Sequence, residues 1–123
     1  HVIVRKVGFP KVVDYLYDHF DEFKLLLTSG ENSVYQEFIH RVVELDTECT
    51  VKYIKASGND AITSGRLTPE LNHLLSSAFY TGMFEVIIHD MPKAQALEHI
   101  RKMRRFYTTG WQTIFSTDGG DVV

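Results

Sequence analysis

The groups in this 123-residue chain that could hold a metal or move a proton are six histidines, at positions 1, 19, 40, 73, 89 and 99, one cysteine and 16 acidic residues. Two histidines share a helix face as ligands when they stand four residues apart, as in His-Glu-x-x-His, and no pair here has that spacing. His19, flanked by Asp18 and Asp21, and His89, next to Asp90, read as helix-surface or helix-end residues. A nucleophilic cysteine needs a helix N-terminus or a cation beside it to lower its pKa. Cys49 sits in the middle of an amphipathic run, which suits a small core residue or a pocket lining. Ser-x-x-Lys, Gly-x-Ser-x-Gly and phosphate-loop patterns do not occur. The expectation is a protein that is not an enzyme and uses no metal or cofactor.

One basic cluster, Arg101-Lys102-Met103-Arg104-Arg105, hints at nucleic acid. On a helix it spreads over several faces, so it reads as solvated surface pairing with acids such as Glu98. The net charge of −3 removes a whole-domain basic footprint.

The elements that position these residues follow from turn signals and period. Breaks are expected at Gly30-Glu31-Asn32, from Ser57-Gly58 to Gly65, and at His89-Asp90-Met91-Pro92. They divide the chain into four helices. Val13, Leu16, Phe20, Phe23 and Leu27 recur at steps of three and four, predicting one helix from Phe9 or Pro10 to Thr28. Residues before Gly8 read as the remnant of an earlier helix. Ser33 and Gln36 have capping-box spacing. The helix they open carries an apolar stripe of Tyr35, Phe38, Val42, Leu45, Cys49 and Tyr53 with Ile39, Val43 and Ile54 beside it, and Gly58 is its stop. Thr68 and Pro69 are N-cap and first residue of the third helix; Pro92 opens the fourth, which fades at Thr117. β-Branched runs are too short for a sheet. An all-α, antiparallel helical bundle is expected, with residues 1–123 forming one domain.

A helix of a soluble monomer turns one stripe of about 100° to the core. The third and fourth helices exceed this, because Phe79, Tyr80, Met83 and Phe84, and again Phe106, Tyr107 and Trp111, point to adjacent faces. Gly82 and Gly110 fall in mid-helix, each costing roughly 1 kcal/mol relative to Ala, which a close helix crossing would offset. The last two helices are therefore expected to form a twofold four-helix dimer interface at Phe79, Met83, Phe106, Gly110 and Trp111. Tyr15, Phe20, Phe23, Phe38, Tyr53 and Phe84 are expected to turn inward, where they could line a ligand cavity with His40, Cys49 and the tyrosine hydroxyls as polar anchors. Residue by residue the expectation is plain core.

Asp18-His-Phe-Asp-Glu-Phe-Lys-Leu-Leu-Leu27, the Ser33-led helix, Leu67-Thr-Pro-Glu-Leu71, His89-Asp-Met-Pro92 and above all Phe106-Tyr-Thr-Thr-Gly-Trp-Gln-Thr-Ile-Phe115 resemble the C-terminal domain of TetR-family (tetracycline-repressor-like) transcriptional regulators. The resemblance runs from about Val12 to Phe115. It implies that the last two helices make a homodimer and that the preceding ones enclose a pocket for a small-molecule effector. The family's N-terminal helix-turn-helix is missing from these residues. They are thus expected to be a fragment whose DNA contact is made by that absent domain, with a natural stand-alone relative as the other possibility.

The resulting expectation is an effector-binding and dimerisation domain taking a small apolar or aromatic inducer; the alternative is a stand-alone helical interaction scaffold with a filled core. One cysteine fits a reducing compartment. No apolar run reaches the ~20 residues of a membrane span. The cytoplasm is the expected location, with no membrane partner.

Overall fold

The computed structural model describes residues 9–29 and 32–116. They form an all-α bundle of five helices: α1 (Phe9–Asp18), α2 (Phe20–Thr28), α3 (Asn32–Ser57), α4 (Pro69–Ile88) and α5 (Lys93–Phe115). The Gly30-Glu31 break, the segment before Gly8, the Ser33 capping side chain and the tail from Thr117 lie outside what is described.

The first apolar run is two helices, not one, because it changes partner. α1 packs on α5 and α2 on α4, and a single straight rod cannot follow both. The chain bends at His19 (φ −116°, ψ 35°). The hydrogen-bond ladder nearly survives, with the His19 N–H on the Tyr15 carbonyl (3.2 Å) and the Phe23 N–H on the His19 carbonyl (3.0 Å). Val13 and Leu16 of α1 and Leu27 of α2 are buried, as their spacing requires.

α3 ends as its sequence predicts. Gly58 adopts φ +74°, and the Asn59 N–H reaches back to the Ile54 carbonyl (3.3 Å), closing a Schellman turn. The buried line of this helix departs from the predicted stripe. Val43, Asp46, Thr50 and Ile54 are buried, whereas Leu45 and Tyr53 are exposed and Cys49 is half-buried. That line runs along the predicted flank, at Val43 and Ile54, and adds Asp46 and Thr50, one residue on from the centre of the predicted stripe, a rotation of about 100° in the second half of the helix. Hydroxyl groups on α4 draw Asp46 inward.

α4 is the hub of the bundle. Thr68 caps it, its Oγ1 accepting the Leu71 N–H at 3.1 Å, with Pro69 at the first position. The helix then packs against α2, α3 and α5. The C-terminal part of its broad apolar arc is thus consumed within the chain, since Phe79, Tyr80, Met83, Phe84, Val86 and Ile87 are all buried in the main core, whereas Leu74 stays exposed. A Cβ on Gly82 would lie 3.0 Å from Met103 Cε, so this glycine does mark a close approach of α5.

The α4–α5 turn is a second Schellman closure. Asp90, at φ 54°, occupies the left-handed position, with its N–H on the Ile87 carbonyl (3.1 Å) and the Met91 N–H on the Val86 carbonyl (2.9 Å). Lys24 fastens this turn to α2, donating to the Ile88 carbonyl at 2.7 Å and pairing with Asp90 at 3.0 Å. The Tyr17 hydroxyl donates to the Met91 carbonyl at 2.6 Å.

The loop after α3 satisfies the open carbonyls at the end of α5. Arg66 Nε donates to Ile114 (2.8 Å) and Asn59 Nδ2 to Phe115 (3.1 Å), while Arg66 also pairs with Asp60. Beneath them a small second core forms from Ile54, Ala61, Leu67 and Trp111.

Candidate functional site

Three arrangements could carry function: a buried polar centre and two apolar grooves. The polar centre joins α3 to α4. Asp46 is 1% exposed, with Ser76 Oγ donating to Oδ2 at 2.8 Å and the Tyr80 hydroxyl donating to Oδ1 at 3.1 Å. Thr50, one turn on, donates its hydroxyl to the Asp46 carbonyl at 2.9 Å. A carboxylate can stay in the interior only with such donors. Burial, and next the negative charge of Asp46, push the Tyr80 hydroxyl well above the ordinary tyrosine range. The centre offers hydrogen bonds and charge, which hold α3 and α4 in one register.

Periodicity alone misses this centre because it ranks residues by hydrophobicity. The available signal is a pair of matching ladders: Val43, Asp46, Thr50 and Ile54 on one helix, and Asn72, Ser76 and Tyr80 at four-residue steps on the other. Each places polar groups where an inward stripe runs.

The residues expected to line a ligand cavity fall in three places. Tyr15, Phe23, Phe38 and Phe84 form a continuous aromatic string across four helices, with successive ring centroids 6.0, 6.1 and 5.2 Å apart. Phe23, Phe38 and Phe84 fill space against one another, whereas Tyr15, expected to turn inward, is 59% exposed at the outer end of the string. Phe20 stands beside this string with its ring 5.5 Å from Tyr17. His40 is on the surface, 3.5 Å from Glu44 of its own helix. Tyr53 faces outward near Phe115, at 6.3 Å, and Cys49 is a free, half-buried thiol.

The expected partner-facing residues also divide. Phe79 and Met83 lie in the core of the chain, and Trp111 is mostly inside the second core. Phe106 is 76% exposed. Gly110 is exposed too, and a Cβ placed there would meet no atom within 4 Å. Both border a groove of about 660 Å³ between α4 and α5, whose walls include Leu71, Leu75 and Ile114.

The other groove, about 530 Å³, lies between the second half of α3, the loop after it and the start of α4. Val51, Ile62, Leu67 and Pro69 give it an apolar surface; Lys52 and Lys55 border it.

The described histidines stay dispersed. His19 lies against the Tyr15 ring (4.6 Å), His89 pairs with Glu85 (2.6 Å), and His73 and His99 are exposed. Among the described residues no three His, Cys, Asp or Glu side chains converge on a point where a metal could sit. Arg101 and Lys102 pair with Glu98, at 3.4 and 3.7 Å, as their spacing predicts. No described helix is long and apolar enough to cross a membrane. The chain matches no protein-family model, no curated protein and no solved structure.

Proposed function

We propose that this chain is the effector-binding and dimerisation domain of a TetR-like transcriptional regulator, acting without catalysis. In this reading two copies meet through α4 and α5. An effector bound within each copy favours one spacing of the pair, and DNA-binding heads N-terminal to these residues feel the change as a population shift.

The observation that carries the reading is the unfilled face around Gly110. A mid-helix glycine costs roughly 1 kcal/mol against Ala, and Gly110 recovers none of it inside the chain, since no atom lies near its missing Cβ. Beside it Phe106 leaves 76% of its surface in water. A second copy laid along this groove would cover both, and about 800 Å² per subunit is the usual scale of such a contact. The interface differs from the one periodicity predicts: Leu71, Leu75 and Ile114 replace Phe79 and Met83.

Light scattering on the 123-residue chain at micromolar concentration tests the reading. The expected mass is that of a dimer, and Phe106→Glu, which sets a charge at the centre of the contact, is expected to yield a folded monomer. A wild-type monomer refutes the twofold contact. The packed aromatic string favours the second reading, a helical scaffold with a filled core. That reading predicts that no effector raises the melting temperature.

A further inference from the structure

The groove between α3 and α4 has the chemistry of a receptor for an organic anion. Its walls are apolar, from Val51 and Ile62 to Leu67 and Pro69, and its volume of about 530 Å³ is that of a small-molecule site. Lys52 and Lys55 stand on its border one turn apart on α3. Neither forms an ion pair among the described residues, whereas Lys24, Lys93 and Lys102 are each paired with an acid. Glu48 also borders the groove, so two positive charges face one negative.

A second observation points to a ligand. Asn72, on α4, borders the same groove and is only 3% exposed. Its Nδ2 donates to the Thr47 carbonyl at 3.3 Å, but its Oδ1 has no partner. A buried amide oxygen left without a donor is uncommon and calls for an explanation.

We infer that this groove binds an amphipathic organic anion: an apolar body, one acidic group held by Lys52 and Lys55, and an N–H or hydroxyl near that group for Asn72. As the effector's site, the inference rests on the effector-domain reading. It gives that effector a charge and moves it away from the aromatic string of α1 to α4. The acidic group stays at the wet rim beside the lysines while the apolar body covers Val51 and Ile62, so neither part is desolvated without a partner.

Two fluorescent probes separate the contributions. 1-Anilinonaphthalene-8-sulfonate has the apolar body, the N–H and the acid; N-phenyl-1-naphthylamine has the same body and N–H without the acid. The 123-residue chain is expected to bind the sulfonate more tightly. Replacing both lysines by glutamine (K52Q with K55Q) is expected to weaken the sulfonate by about ten-fold and leave the neutral probe unchanged, since two solvent-facing ion pairs are lost. Val51→Trp, which fills the groove, is expected to abolish both. Equal affinity for the two probes in the wild type, or an equal effect of the glutamines on both, overturns the inference. So does loss of sulfonate binding in Phe106→Glu, which would put the probe in the α4–α5 groove. A wild-type chain that is monomeric by light scattering and still binds the sulfonate through the lysines defeats the dimer reading and leaves this site standing.

Discussion

Replacing Tyr80 by phenylalanine removes one oxygen from the buried polar centre and leaves the ring in place. The lost hydroxyl is a donor to the Asp46 carboxylate at 3.1 Å, and both residues are almost fully buried. A hydrogen bond to a charged group is worth about 1.5–3 kcal/mol net, so Tyr80→Phe should destabilise the chain by about that amount at neutral pH. Urea unfolding followed by circular dichroism reads it as a lower midpoint with an unchanged slope. The alkaline limb adds an independent check. Burial, reinforced by Asp46, raises the folded pKa of Tyr80 above the ordinary 10.0. Below that value both states hold the phenolic proton and the contribution is fully present. Above it the unfolded chain releases the proton while the folded chain keeps it, so stability falls with rising pH, by up to about 1.4 kcal/mol per pH unit for this group. Tyr17 and Tyr35 are raised as well, each mainly by burial, so the variant also weakens at high pH, but less steeply. The gap between wild type and Tyr80→Phe should therefore narrow above about pH 10. A neutral-pH cost below about 0.5 kcal/mol, or a gap that stays constant into the alkaline range, would refute the account of this centre.

Phe79→Ala should cost about 3–5 kcal/mol in unfolding experiments, as a truncated core phenylalanine does, and leave the association state measured by light scattering unchanged. A loss of dimer without loss of stability would instead return Phe79 to the interface. At the α4–α5 turn, Asp90→Gly should fall within about 0.5 kcal/mol of wild type, because relief of the left-handed backbone offsets loss of an ion pair whose Asp90 side faces solvent. Asp90→Val should lower the thermal midpoint clearly more than the glycine variant, since a β-branched side chain tolerates that backbone poorly.

Much of the fold was legible because it is written in local signals. Thr68-Pro69 and Gly58 act within a few residues of where they stand, through one side-chain acceptor, one fixed φ and one missing Cβ. Period predicts helices but gives only an approximate direction for their faces. On α3 the predicted stripe took Leu45 and Tyr53 inward and passed over Asp46. The inward position of Asp46 depends on Ser76 and Tyr80, 30 and 34 residues further along the chain. The candidate cavity residues meet the same limit: Phe23, Phe38 and Phe84 do meet, but as a packed string with Tyr15 exposed at its end, and whether facing aromatics touch or leave a gap is a matter of helix spacing.

By itself the sequence determined that this chain is all-helical, where most of its helices start and stop, and that its second half carries more apolar surface than one stripe needs. Tertiary structure alone decided where that surface goes. Because α4 lies between α2, α3 and α5, it buries Phe79 and Met83 on neighbours within the chain, and an outer edge that includes Leu74, Phe106 and Gly110 is left over. The bend at His19, the polar centre at Asp46 and the lysine-edged groove have the same origin. Each is fixed by which helices lie side by side, a property that no local period encodes.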